Sequence, residues 1–432
     1  MICDNISVNR AGHLTFGGQD TVALAERYGT PLYLMDEDKI RENCRKYTIP
    51  FKKYFGGNSR PIYASKAASF KKIYKIAAEE GMGCDVVSCG EIYTAVKAGF
   101  PMGDAFFHSN NKTDDDIAFA MEHGVGYFVV DCAEELEAIS KIASQKGLTQ
   151  KLLLRLTPGI DTHTYEAVNT GRVDSKFGSA IETGQAKEIT KKALSLPGIR
   201  LVGFHCHIGS QVFDSDTFIR SSEIMLGFIA EVKREFGFET EILNLGGGYG
   251  VRYTEDDPTI DIEENIKLVS ENIHAICGKL GIAVPSIIME PGRSIVADAG
   301  MTLYTVGSVK VIPEYKNYVS VDGGMTDNPR FALYQSKYTV LAANKAADRC
   351  DFACSLVGRC CESGDIIAEN IKLPSSTTRG DTVAVCTTGA YNYSMASNYN
   401  RIARPAVVML KGGNSTVAVK RETLDDIVKN DL

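Results

Sequence analysis

One unit recurs through most of this chain: an apolar run of strand length, a polar or glycine-rich close, then a segment with helical spacing. The apolar runs fall at 61–66, 83–88, 105–110, 127–131, 151–157, 201–208, 241–246 and 286–290. The first five begin 22 to 24 residues apart. Between them, sets such as Phe70, Ile73 and Ala77, or Leu136, Ile139 and Ile142, repeat at helical period. Gly81, Gly99, Gly124, Gly147, Gly237 and Gly281 stand where those helices should stop. Thr113 with Asp116 has the form of a helix start. A parallel strand needs a crossover connection to reach its neighbour, so strand–helix units in series build a parallel sheet. Eight of them predict an α/β fold closed as a (β/α)8 barrel. An open doubly wound sheet is the alternative.

The pattern changes near residue 300. Shorter β-rich runs follow at 302–311, 317–321, 337–342, 352–357, 382–387 and 405–411, separated by turn signals such as Gly323-Gly324 and Gly412-Gly413-Asn414. These predict a second, β-rich domain. The strand-like start of the chain, ending in Thr30-Pro-Leu-Tyr-Leu-Met35, is expected to join it. The predicted division is a barrel over 37–300 and a β-rich domain from 1–36 and 301–432.

The 432 residues, 44% of them apolar, suffice for both cores. A net charge of −7 argues against a nucleic-acid surface. No run of about 18 apolar residues exists, so no membrane span is expected. The N-terminal run MICDNISVNRAGHL lacks the basic-then-apolar order of a signal peptide. Twelve scattered cysteines then read as free thiols in a reducing cytoplasm. The densest group, Cys350, Cys354, Cys360 and Cys361, has no histidine nearby and no common zinc spacing, so no metal is predicted.

Barrels of this kind work at the C-terminal ends of their strands. Read there, the chain offers Lys66, then Asp85 with Glu91 beyond it, then His108, Asn110 and Asn111, and Arg155. His205 and His207 follow, two apart and so predicted to share one strand face, with Ser210 after them. Gly246-Gly-Gly-Tyr-Gly250 and Glu290-Pro-Gly-Arg293 end the series. Lys66 is predicted to share the apolar face of its strand with Ile62 and Ala64. Desolvation there would lower its pKa and make it a nucleophilic amine. Glycines after a seventh barrel strand suit a phosphate held by backbone N–H groups. An amine, a flat ring to stack, an acid and a phosphate loop together suggest pyridoxal 5′-phosphate: an aldehyde, an aromatic ring, a pyridine nitrogen and a phosphate.

Several runs then match a known family in order: YASKA at 63–67, DSKFG at 174–178, HIGSQ at 207–211, GGGYG at 246–250, EPGR at 290–293, DGGMTDNPRFALY at 322–334, CESGD at 361–365 and GAYNYSMASNYN at 389–400. From about residue 30 to 405 the chain resembles the diaminopimelate decarboxylases, members of the alanine-racemase-like, fold type III pyridoxal-phosphate enzymes. One departure is Ala68, where the family usually has Asn.

The resemblance implies that Lys66 carries the cofactor, His207 stacks on its ring and Glu290 pairs with its pyridine nitrogen. It sets Ser210, Gly247, Gly248, Gly292 and Arg293 around or beside the phosphate, with Asp85, Arg155 and Tyr391 completing the cofactor set. It assigns substrate contacts to Arg293, Arg330, Tyr334, Glu362 and Tyr391, and a proton donor to Cys361. It further implies a homodimer in which Cys361 and Glu362 reach the other subunit's site. The expected reaction is decarboxylation of meso-2,6-diaminopimelate at its D centre to L-lysine, with a proton returned to Cα from Cys361 or Lys66. The reaction consumes one carboxylate, so the other must be recognised; Arg293 and Arg330 suit it, and Glu362 suits the distal ammonium. The rival readings are an ornithine, arginine or carboxynorspermidine decarboxylase, an amino-acid racemase, and a non-catalytic pyridoxal-phosphate carrier.

Overall fold

The computed structural model describes residues 1–160 and 175–432. Asp174, the first residue of the DSKFG run, lies outside them. The chain forms two compact units: Cys44–Gly250 with Thr259–Gly292, and Met1–Asn43 with Val251–Pro258 and Arg293–Leu432.

The first unit is an eight-stranded parallel barrel. Its strands are Arg60–Ala64, Gly83–Val86, Ala105–Phe107, Tyr127–Val130, Gln150–Thr157, Ile199–His205, Ile242–Asn244 and Ser286–Met289. Each pairs with the next, and the eighth returns to the first through Ile288 opposite Arg60 and Met289 opposite Pro61. That closure removes the open-sheet alternative. Inside, Ile62, Phe106, Val129, Leu153, Val202 and Ile288 from six different strands pack as one buried cluster, the filled interior expected of an eight-stranded barrel. The helices between strands end as their glycines require. Gly99, Gly237 and Gly281 cap in the left-handed region. Thr113 and Asp116 form the reciprocal cap: the Asp116 N–H donates to Thr113 Oγ1 and the Thr113 N–H to the Asp116 carboxylate.

The second unit is β-rich. Its larger sheet runs, edge to edge, through Ile366–Pro374, Cys350–Val357, Lys316–Val321, Gly300–Ile312, Leu32–Asp36, Ala406–Lys411 and Asn414–Val419. Gly300–Ile312 also pairs with Thr382–Cys386. This 13-residue strand serves two cores, one around Leu34, Met301 and Val408 and one around Tyr304, Val306 and Leu356. Two strands escape sequence reading. In Ile366–Pro374 the alternation is broken at Asn370, which takes a positive φ of 56°. Asn414–Val419 is an edge strand with no fully buried residue, so it lacks an apolar face to betray it. Among the described residues no helix is long and apolar enough to cross a membrane.

Candidate active site

The first barrel strand stops at Ala64, and Ser65–Ala67 form a single 3-10 turn. Lys66 lies in that turn and is exposed. The expectation of a desolvated lysine on the strand's apolar face is therefore wrong: the turn breaks the alternation before Lys66 is reached. Tyr63 pins the turn, its hydroxyl accepting from the Ala68 N–H at 3.1 Å and donating to the Ala68 carbonyl at 3.0 Å. The barrel does bury a lysine, but it is Lys112. Its ammonium donates to Glu135 at 2.7 Å and to the carbonyls of Val129 and Ser109. Those partners are what a buried ammonium requires.

Beside the strand ends stands a polar cluster. Asp85 projects from the second strand, buried, and among the described residues its Oδ1 has no hydrogen-bond partner. Burial raises its carboxyl above the usual range, against the pull of His108. His108 follows the third strand directly, and its Nε2 lies 2.9 Å from Glu290 Oε1. His205 ends the sixth strand with Nε2 3.4 Å from Glu290 Oε2. Asn244 ends the seventh and donates to Glu290 Oε1 at 2.7 Å. Burial alone would raise the Glu290 carboxyl, but His108 and His205 outweigh it and hold it well below the usual range. Glu290 is thus a buried anion.

His207 lies two residues beyond the end of the sixth strand rather than on it. Its Nδ1 accepts the Gly247 N–H at 3.2 Å, which leaves the ring proton on Nε2. Burial, with Lys66 nearby, pushes its pKa well below the ordinary value, so the ring is neutral. The glycine run is forced by close backbone approach. A Cβ on Gly247 would stand 2.2 Å from the Glu290 carbonyl oxygen, and one on Gly248 2.4 Å from that of Gly209. Gly292 is equally confined, 2.9 Å from Ala64. Gly247→Ala should accordingly cost about 1–3 kcal/mol through overpacking, read as a lowered unfolding midpoint; an unchanged midpoint would show the approach to be slack. Arg155 has its Nε 4.0 Å from Asp131 and its guanidinium over the Phe177 ring at 4.2 Å. Ser210 is half-buried next to Gly209.

The β-rich unit carries its own cluster. Arg293 and Arg330 are both buried. Arg293 Nη1 donates to the Tyr253 hydroxyl at 2.7 Å and Arg330 Nη1 to that of Tyr338 at 2.8 Å. The Arg330 guanidinium also lies 4.9 Å from the centre of the Tyr253 ring, and that of Arg293 4.8 Å from Tyr391, within reach of cation–π attraction. Burial alone would raise the Tyr253 hydroxyl, but the two arginines hold it below its ordinary value. Among the described residues no carboxylate lies within ion-pair distance of Arg330. Tyr334, at the end of the short helix Arg330–Tyr334, is half-buried. Cys361 and Glu362 lie on an exposed turn, with the Cys361 N–H donating to Asn400 Oδ1 at 2.8 Å.

Sequence reading named His108 and His205 only as strand-end residues and missed Asn244, Tyr253 and Tyr338. Tyr253 lies three residues past the glycine run and belongs to the β-rich unit. Nothing in local pattern marks that change of unit.

Residues 37–297 match the model of the pyridoxal-dependent decarboxylase family, pyridoxal binding domain. The diaminopimelate decarboxylase of Bacillus subtilis is 46% identical over 98% of this chain and 96% of its own length. That of Staphylococcus aureus is 44% identical over 99% of both. The crystal structure of M. jannaschii diaminopimelate decarboxylase in complex with L-lysine superposes with a TM-score of 0.91, at 34% identity, covering 99% of this chain and 98% of that one.

Proposed function

This chain belongs to the pyridoxal-dependent decarboxylase family, and from that premise we infer that it converts meso-2,6-diaminopimelate to L-lysine and CO2. One observation carries the substrate choice. Arg330 is a buried guanidinium that meets only tyrosines and has no carboxylate partner among the described residues. A buried cation in that state is built for an anion brought from outside. A dicarboxylic amino acid keeps one carboxylate after losing the other, and that group is the fit. Ornithine and lysine have none to spare.

Pyridoxal 5′-phosphate is the cofactor, and the residues suit it. The buried anion of Glu290 matches a protonated ring nitrogen, the Asp85 oxygen without a partner among the described residues awaits a donor, and the glycine run leaves no room for side chains at Gly247 and Gly248. When bound, the group supplies an electron sink for the charge that CO2 leaves on Cα. The chain's residues do the rest. Lys66, whose amine is exposed at the turn, would hold the cofactor. Neutral His207 offers a flat face without a competing charge. Glu290, as an anion, would hold the proton of the ring nitrogen. Arg155, Ser210, Gly248, Gly292 and Tyr391 complete the cofactor's surroundings, and Arg293, Arg330 and Tyr334 receive the substrate. Cys361 Sγ or Lys66 Nζ returns a proton to Cα.

The exposed turn of Cys361 and Glu362 supports a homodimer in which this pair serves the other subunit's site. Mixing Lys66→Ala with Cys361→Ala chains, each inactive alone, should then restore part of the activity. Mixed dimers that form and stay inactive would sink the shared site. The twelve cysteines form no disulfide, which supports a reducing cytoplasm as the compartment.

The reaction itself is tested by CO2 release from meso-diaminopimelate against ornithine. The expected preference is on the order of 10⁴, the discrimination available to a site built on polar contacts. Comparable rates on ornithine, or epimerisation without CO2, would overturn the assignment.

A further inference from the structure

We infer that His108 and His205 are positioning residues for Glu290: they keep its carboxylate ionised while leaving it free to accept the proton of a pyridinium nitrogen. The inference rests on the assignment of Glu290 to the ring nitrogen and deepens it.

Three other barrel strands bring side chains to this acid. Glu290 is buried, and a carboxylate taken out of water takes up a proton unless something compensates its charge. Asn244 makes one aligned hydrogen bond to Oε1 and is itself fixed, its Oδ1 accepting the Gly246 N–H at 2.9 Å. The two imidazoles stand edge to face, ring centres 4.9 Å apart, with their Nε2 atoms 2.9 and 3.4 Å from the two carboxylate oxygens. They are close, yet among the described residues neither Nε2 completes a hydrogen bond. The attraction therefore stabilises the anion without using its lone pairs. An ionised carboxylate has about four acceptor sites, and Asn244 fills one of them.

The remaining charged neighbours fit this account. Asp85, from the second strand, lies 3.9 Å from His108 Nε2. Lys66, Arg155 and His207 belong to the same electrostatic set. Burial holds His205 down to about 4, so it is neutral at physiological pH and acts as a dipole. Without the two rings Glu290 would hold its own proton, and a neutral acid cannot keep the ring nitrogen charged.

The test uses apo-protein and two probes, pyridoxal 5′-phosphate and its 1-deaza analogue, which carries C–H where the ring nitrogen stood. Dissociation constants are read by fluorescence quenching and the bound cofactor's visible spectrum is recorded. Wild type should prefer the natural cofactor by about tenfold or more, the worth of a hydrogen bond to a charged group. The double variant His108→Leu/His205→Leu should bring that ratio near one while the analogue's own affinity holds. A merely structural role would weaken both probes equally and overturn the inference. Should the leucine chain fail to fold, His108→Gln/His205→Gln decides. Glutamine keeps an N–H donor, so a preserved ratio supports the inference and a lost one overturns it. Glu290→Gln separates the two levels. If it keeps the preference, the Glu290 assignment itself fails. If it loses the preference while the leucine double variant keeps it, only the present inference fails.

Discussion

Lys66→Ala should lose the visible absorbance of lysine-bound pyridoxal phosphate and nearly all turnover. The amine is the one group of its turn able to hold an aldehyde covalently. It is also one of two candidates for returning the proton to Cα, and a positioned proton donor alone is worth about 10²–10⁴-fold. The side chain is exposed and packs no core, so the unfolding midpoint of the apo-protein should hardly move. Absorbance and calorimetry on the same sample check both halves. A surviving lysine-type band would mean that another amine carries the cofactor. Lys112 is a poor substitute, because its ammonium is locked by Glu135 and two carbonyls.

Arg330→Met should separate activity from stability. Losing one partner of a buried charge pair costs about 2–5 kcal/mol, so kcat/KM for diaminopimelate should fall by about 30- to 5,000-fold. The unliganded chain should not be weakened to match. A buried guanidinium that meets only tyrosines among the described residues carries a desolvation cost in the free protein, and a methionine of similar length removes it. The unfolding midpoint should therefore hold or rise, the trade between function and stability seen where a site stores an unpaired charge. Kinetics unchanged by the substitution would remove Arg330 from substrate recognition. A midpoint collapse would recast it as a structural residue of the Tyr253–Tyr338 cluster.

Much of the barrel was legible because its code is local. Strand length, helical period and terminal glycines repeat within about two dozen residues, and the eight strands stand where that rhythm puts them. The ends of the strands were legible for the same reason, and with them Asp85, Arg155, the glycine run and Glu290. The reading failed where a local rule stops at an element's end. Alternation placed Lys66 on a strand face, but the strand had already ended at Ala64. It likewise carried the sixth strand on through His207, although that strand ends at His205.

By itself, then, the sequence determined the parallel barrel, the β-rich second unit and the chemical types gathered at the strand ends, because each is written in short-range periodicity and in matching motifs. Only the tertiary structure decided which of those groups are charged, paired or poised. Glu290 is an anion because His108 and His205, from strands far away in the chain, close on it. Arg330 is a buried cation because Tyr253 and Tyr338 enclose it without supplying a carboxylate. Such states depend on burial and on partners set by strand order and packing, and no spacing along the chain records either.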